Sequence, residues 1–368
     1  MIWTAHAGPL FPAKERKNNM TAKAKLTSAL LAAALILLAL AGAFTGCTAG
    51  TGAQTDPASG TTAEAPVTEA PDTYAAKVAV LNGTTGFGIA PMYTEFKAGK
   101  VPSVASIDFY ADATLVSPLV IKGDVDIAAV PTNLASVLYA KTEGKVRVIA
   151  VNTLGVLYLI ENGSTVNSLA DLAGKTVYVP GQGSNPEYLL KALLTSAGML
   201  DKVTIDATYS SPDELTTALA SGKASLGVIP EPKVTAALSK NTSLRKALDF
   251  TAEWKKTTGT DLVQGCLVAR ADFVEAHGSV LDGFLAAYAD SVKKVTDDPD
   301  AAAADIVAAG IVASEAVVKK ALPGCNIVCI TGEDMKEPLR TFWKSLYDII
   351  PSSVGGAVPD DAVFYVKK

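Results

Sequence analysis

The chain has 368 residues, 49% of them hydrophobic and only 7% aromatic, with a formal net charge of −5. That length can bury two separate cores. The acidic balance argues against a nucleic-acid partner, and two histidines (His6 and His277) with four cysteines leave little from which to build a metal site.

The N-terminal region reads as a targeting segment. Lys23 and Lys25 precede an apolar run from Leu26 to Phe44, and small residues then lead to Cys47. A charged n-region, an apolar h-region and a small-residue cleavage point make residues 1–46 a signal peptide. Met20 reads as its natural start, with residues 1–19 a misplaced upstream start. The "FTGC" ending resembles a bacterial lipobox, which implies cleavage before Cys47, a lipid on its thiol and amine, and an extracytoplasmic position at the cell membrane. An uncleaved anchor is the competing reading, because the run is about long enough to span a bilayer; it leaves Gly46-Cys47 unexplained. Five of the 32 basic and one of the 37 acidic residues precede Cys47, so the remainder carries −9. Residues 47–76 read as a tether. Positions 48–76 contain no Leu, Ile, Phe or Trp, and such a segment cannot bury enough surface to offset chain entropy.

From Lys77 strands and helices alternate, the pattern of an α/β protein with parallel-type sheets. "KVAVLNG" is a strand entering a glycine loop, and "FGIAPMYTEFKAG" is a helix ended by Gly99. "SIDFY" is a strand. "TLVSPLVIKG" is helical up to Gly123, with Pro118 marking a start or bend. "DIAAVP" is a buried strand and "TNLASVLYAKTE" a helix. "VRVIAVNTLGVLYLIE" is too long for one strand, so Gly155 is expected to break it at a crossover between domains.

The pattern then restarts. "KTVYVPG" repeats "KVAVLNG", and "NPEYLLKALLTSAG" is a helix with Asn185 as its expected N-cap and Pro186 at its first position. "VTIDATY" is a strand, "SPDELTTALASG" a helix opened by a Ser211/Glu214 capping box, "ASLGVIP" a strand and "EPKVTAALSK" a helix. Gly83 and Pro131 are 48 residues apart, Gly181 and Pro230 are 49 apart, and "GDVDIAAVP" has its counterpart in "GKASLGVIP". Matched spacing of this kind marks a structural duplication. Beyond Val263 come a strand, "QGCLVAR", two helices around "VLDGFLAAYADSVKKV" and "DAAAADIVAAG", and an amphipathic "MKEPLRTFWKSLYDII".

Cys266, Cys325 and Cys329 remain downstream of the tether. Outside the membrane a pair could oxidise and leave one over, or all three could be packed thiols; spacing alone leaves both open. With one histidine and no Cys-x-x-Cys pair, no metal is expected.

The tether followed by "LNGTTGFGIAPMY", "GDVDIAAVPTNLASVLY", "AVNTLGVLYLI", "GQGSNPEYLL" and "GVIPEPKVTAAL" resembles the solute-binding lipoproteins of ABC importers. The nearest group is the nitrate/sulfonate/bicarbonate-type, thiamine-precursor-like binding proteins. The resemblance implies an α/β, two-lobed type 2 periplasmic-binding-protein fold with two hinge crossings. Lobe one would comprise residues 77–154 and 262–368, and lobe two residues 155–261. It implies a monomer that captures a small molecule between its lobes and delivers it to a permease, with no cofactor and with ATP consumed by partner subunits. A sensor subunit on the same fold is the alternative. An enzyme resembling those of the menaquinone or pyrimidine-precursor pathways is disfavoured by the lipobox, the lack of histidine and the lack of a catalytic cysteine motif.

Four loops at the carboxyl ends of strands are candidate ligand contacts. They are Thr84, Thr85, Gly86 and Phe87; Thr132 and Asn133; Gln182, Gly183, Ser184 and Asn185; and Glu231. Thr153 is added from the crossover. No arginine lies on these loops, whereas Glu231 and Asp112 are acidic. Since anion recognition commonly uses arginine forks, the expected ligand is neutral or amine-bearing, with a heteroaromatic ring stacked on Phe87. "GTTGFG" is neither a dinucleotide fingerprint nor a P-loop, and Ser184 lacks a nucleophile elbow.

Overall fold

The computed structural model describes residues 72–367. The expected signal peptide, the expected lipidation site Cys47 and nearly all of the expected tether lie outside these residues. The described chain opens with β1 (Ala76–Leu81), α1 (Thr84–Phe87), α2 (Ala90–Lys97), β2 (Val104–Tyr110), α3 (Ala113–Lys122), β3 (Ile127–Pro131), α4 (Thr132–Lys141) and β4 (Val146–Leu154). It continues through β5 (Leu157–Asn162), β6 (Thr176–Tyr178), α5 (Asn185–Ser196), β7 (Thr204–Asp206), α6 (Pro212–Ala220), β8 (Leu226–Pro230), α7 (Lys233–Lys240), β9 (Leu244–Asp249) and α8 (Phe250–Thr258). The last part holds β10 (Val263–Arg270), α9 (Ala271–Ala276), α10 (Gly278–Asp297), α11 (Pro299–Ala308), α12 (Glu315–Ala321), β11 (Ile327–Ile330) and α13 (Lys336–Tyr347).

The strands form two sheets. The first runs β11-β4-β10-β3-β1-β2 and the second β7-β6-β8-β5-β9. Within the first, β2, β1 and β3 are parallel and β10 lies antiparallel beside β3. Within the second, β7, β6 and β8 are parallel and β5 lies antiparallel beside β8. The matched spacing in the sequence therefore corresponds to one strand arrangement built twice. In β3 and β8 every residue before the closing proline is buried, as strands covered on both faces require. Pro131 and Pro230 lack an N–H and stand at the strand ends, where the loss of a ladder donor costs least. They lie opposite Gly265 and Leu157 of the antiparallel neighbours.

The long apolar run does break where the sequence suggested. β4 ends at Leu154 in one sheet and β5 begins at Leu157 in the other. The chain returns through α8 and Leu262 into β10 of the first sheet.

Three local readings change. Asn185 is the first residue of α5, not its cap: the Ser184 hydroxyl accepts the Glu187 N–H, because an N-cap oxygen must reach the amide three residues on. Pro118 lies inside α3, which starts earlier, behind Asp112; that carboxylate caps the helix by accepting the Thr114 N–H at 2.7 Å. The helix expected from Phe87 begins at Ala90 as α2, and the loop before it contains the single turn α1. β9 and α8 have no counterpart among the elements read from the sequence.

α13 buries Leu339, Phe342, Trp343 and Leu346, spaced i, i+3, i+4 and i+7 on one helix face. The Trp343 indole N–H donates to the Thr132 carbonyl at 2.9 Å, which fixes α13 against the start of α4. Trp343, Trp254 of α8 and Leu193 of α5 belong to one apolar core that runs from the first sheet into the second.

At the edges of the sheets farthest from the crossovers, Glu161 is 4% exposed and accepts from Arg245 Nη2 at 2.6 Å. Burial raises the pKa of its carboxyl. The Thr165 hydroxyl and amide, the Val166 N–H and Arg245 outweigh burial and hold it below the ordinary 4.5. A lowered carboxylate pKa adds stability that is complete above the unfolded-state value and lost as pH falls through the folded one. Glu161→Gln is therefore expected to cost about 1–3 kcal/mol at pH 7. The difference from the parent should shrink as pH falls below that of ordinary carboxylates, as measured by urea unfolding across the acid range.

Candidate functional site

The carboxyl ends of β1, β3 and β4 share one edge of the first sheet, because β4 and β3 both run antiparallel to β10. The carboxyl ends of β6 and β8 share one edge of the second. The β4–β5 crossover joins these two edges, so they face each other across a cleft. Open α/β sheets place ligands at this edge, where the order 2-1-3 reverses direction.

The crossover is packed against the returning chain. Val156 N–H donates to Gln264 Oε1 at 2.5 Å, Asn326 Nδ2 donates to the Gly155 carbonyl at 2.5 Å, and the Leu154 N–H donates to the Asn326 carbonyl at 3.0 Å. A Cβ on Gly155 would lie 2.9 Å from Thr251 Cβ and 3.1 Å from Leu262 Cδ2, so only glycine fits where the two crossings press together.

On the first-sheet side, Gly83 has φ 102°, a left-handed conformation suited to glycine, and it turns the chain from β1 into α1. Asn152 Nδ2 donates to the Thr85 carbonyl at 3.1 Å, and the Thr153 hydroxyl lies 3.1 Å from Asn152 Oδ1. Thr153 is 1% exposed. It braces the loop through its neighbour rather than facing a ligand. Gly86 and Phe87 are buried in the core, with Phe87 fully enclosed, so the ring offers no face for stacking. Thr84 and Thr132 are also buried, whereas Thr85 and Asn133 are half-buried at the edge.

On the second-sheet side, Gln182 and Gly183 are exposed, and Ser184 and Asn185 are half-buried. Ser184 acts as a helix cap. Glu231 is 2% exposed, and both of its oxygens are engaged: Oε1 accepts from Lys246 Nζ at 2.9 Å and Oε2 from the Thr235 N–H at 3.0 Å. The Lys246 ammonium also sits 3.9 Å from the centre of the Tyr158 ring. Burial first, then the Asp249 and Glu231 carboxylates, push the Tyr158 hydroxyl up to about 12. Glu231 is thus an internal partner of Lys246 and not a free carboxylate for an amine. The turn at Gly324, from the far end of the chain, packs on Glu231 and Tyr158.

Seven buried side-chain polar atoms among the described residues have no hydrogen-bond partner. Four belong to cleft loops: Asn82 Oδ1, Thr132 Oγ1, Asn133 Oδ1 and Asn185 Oδ1. Native proteins leave few such groups, and each calls for an explanation. Asn82 was missed in the sequence although it directly follows a parallel strand. Tyr158, Lys246 and Asn326 carried no sequence signal, since their roles depend on pairing across strands.

The three cysteines are free thiols. Burial raises the thiol pKa of Cys329 to about 11 and that of Cys266 and Cys325 further, Cys325 also through Glu231. Among the described residues no group of three or more His, Cys, Asp or Glu side chains could hold a metal ion, and no helix is long and apolar enough to cross a membrane.

Two sheets of this order, joined at facing edges by two crossings, define the two-lobed type 2 periplasmic-binding-protein architecture. Solved structures share it. An ABC transporter protein from Parabacteroides distasonis aligns with TM-score 0.68 and 24% identity over 81% of this chain and all of that one. The periplasmic aliphatic sulphonate binding protein SsuA from Escherichia coli aligns with TM-score 0.66 and 16% identity over 81% and 94%. A putative periplasmic sulfonate-binding protein from Methylobacillus flagellatus aligns with TM-score 0.58 and 18% identity over 77% and 88%. Residues 104–302 match the NMT1/THI5-like family, and the chain belongs to it. No curated protein matches the sequence.

Proposed function

We propose that the protein is an extracytoplasmic solute-binding protein that closes its two lobes on a small molecule and delivers it to an ABC permease. The observation that carries this reading is the set of partnerless amide oxygens on half-buried residues of both lobes, at Asn82, Asn133 and Asn185. A ligand's polar groups would satisfy them. Residues 77–154 with 262–368, and residues 155–261, are the proposed moving bodies, and Gly155 and Leu262 mark the crossings. Closure needs only a ligand that binds the closed state better than the open one. Thr85, Asn133, Gln182, Gly183 and Asn185 are the proposed contacts, with Asn82 added. The chemistry is binding without turnover, and the lipid on Cys47 is the proposed anchor.

The proposed ligand is neutral and carries N–H or O–H donors. These three orphaned atoms are amide carbonyl oxygens, which accept. Every described arginine is elsewhere: Arg147 and Arg270 at the opposite edge of the first sheet, Arg245 at that of the second, and Arg340 on α13 paired with Asp361. Two of the structural neighbours are described as sulfonate-binding; this cleft lacks a described guanidinium for such an anion. A thermal-shift screen of aliphatic sulfonates, nitrate, thiamine precursors, purines and amines tests the reading. Stabilisation by a neutral donor-bearing compound is expected. Tight binding of an aliphatic sulfonate or of nitrate overturns the ligand class. Mass spectrometry of the mature N-terminus tests the anchor, and an unmodified Cys47 refutes it.

A further inference from the structure

The start of a helix attracts anions, because its first N–H groups lack helical acceptors and it carries about half a positive charge. Three helices start at the cleft edge of the second sheet: α5 after β6, α6 after β7 and α7 after β8. Each already holds an acid of its own on a backbone donor. Glu187 Oε2 accepts the Gly183 N–H at 2.5 Å, Glu214 Oε2 accepts the Ser210 N–H at 2.7 Å, and Glu231 Oε2 accepts the Thr235 N–H at 3.0 Å. A proline, which has no N–H to offer, stands at each start: Pro186, Pro212 and Pro232. In the first sheet α4 begins with neither a side-chain cap nor an acid in its first turn, so this closure belongs to the second-sheet wall.

Among the three, α5 adjoins the candidate contacts Gln182 and Asn185. The Ser184 hydroxyl takes the Glu187 N–H, and the Glu187 carboxylate takes the Gly183 N–H. Glu187 is 6% exposed, and its other oxygen accepts from Lys191 Nζ at 2.5 Å, one turn further along the helix. Little water therefore screens this carboxylate. Glu214, by contrast, is exposed, and Glu231 is covered by the Gly324 turn and paired with Lys246. A second anion at the start of α5 would find two donors occupied, a third missing and a buried negative charge beside it.

We propose, on the neutral-ligand reading of the cleft given above, that Glu187 sets its charge selectivity. The Glu187 carboxylate takes up the donors that a sulfonate or nitrate would need at the start of α5. It leaves the orphaned Asn185 Oδ1 there to meet a ligand N–H or O–H. Glu187 is a positioning and selectivity residue that the ligand itself does not touch.

The test is titration of the purified chain, labelled with ¹⁵N-glycine, with methanesulfonate at constant ionic strength. The Gly183 amide resonance, assigned through Gly183→Asn, is the readout. In the parent it is expected to stay in place. In Glu187→Gln it should move saturably, with an affinity at least tenfold above any shown by the parent, because the helix start and Lys191 then lack a carboxylate. Glu187→Met serves where that variant does not fold. Glu214→Gln changes the net charge equally at an exposed helix start and should leave the parent's behaviour within twofold. A merely structural Glu187 would lower the melting temperature on replacement and gain no methanesulfonate; that outcome overturns the proposal. So does a parent Gly183 resonance that methanesulfonate moves saturably, or an equal gain in Glu214→Gln. The titration needs no cleft ligand, so a ligand screen in which no neutral compound stabilises the parent counts against the neutral-ligand reading and leaves the Gly183 result to judge Glu187 separately.

Discussion

A Gly155→Val variant is expected to lose about 3 kcal/mol of unfolding free energy, the upper range for forcing atoms into a packed interior. The backbone at Gly155 has no left-handed φ, so conformation alone would tolerate a side chain. Space does not. The added Cβ meets Thr251, and Leu262 stands just beyond. The Thr251 hydroxyl, which holds no hydrogen bond, can rotate aside, but the Thr251 Cβ at 2.9 Å cannot. The two crossings would be pushed apart, and the Val156–Gln264 and Asn326–Gly155 hydrogen bonds would lengthen with them. Lobe closure should suffer beyond global stability. Urea unfolding measures the first effect, and small-angle scattering with and without the screened ligand measures the second. Thr251→Ala in the same chain removes the nearest atom and should restore part of the loss, a coupling that independent sites would not show. Equal stability of parent and Gly155→Val would remove the crossing from its assigned place as the tight point of the hinge.

Asn133→Ala and Asn185→Ala are each expected to weaken cleft binding at least tenfold, while the unliganded protein keeps or gains thermal stability. The reasoning lies in the orphaned carbonyl oxygens. A buried acceptor without a donor costs about 1–3 kcal/mol, and removing it relieves that cost. The same oxygen, met by a ligand N–H or O–H, returns a comparable amount on binding. Loss of affinity with unchanged or higher melting temperature is the signature of a group held for function at a cost to the fold. A purely structural asparagine would move both quantities downward together. Calorimetric titration with whichever compound stabilises the parent most, beside melting curves without ligand, separates the two outcomes. If both variants bind as the parent does, these loops are not the site.

Much of the architecture was legible because local signals and the fold agree. Ser211 caps α6 by accepting the Glu214 N–H, but the expected capping box does not close, because the Glu214 carboxylate accepts from the Ser210 N–H and hydroxyl instead; Gly123 ends α3 in a left-handed conformation. The repeated strand endings at Pro131 and Pro230 are visible to sequence because a proline at a strand end is a local event. β9 was not legible: "LRKALD" is a half-exposed edge strand with charged residues, and its pairing with β5 is what makes it a strand. Once β9 is in place, Lys246 reaches Glu231, and an acid that looked free in sequence becomes an internal ion pair.

The sequence by itself determined the acidic balance of the chain, the alternation of strands and helices, the duplicated unit and the loops that line one edge. Those features depend on residue period and on turn chemistry, which act over a few positions. Tertiary structure alone decided which loop residues remain available. Phe87 and Thr153 were drawn into the core and its bracing, Ser184 took the cap that freed Asn185, and Asn82 emerged as an orphan. Burial and hydrogen-bond satisfaction are settled by segments that are distant in sequence and adjacent only after folding, which is why no local pattern announces them.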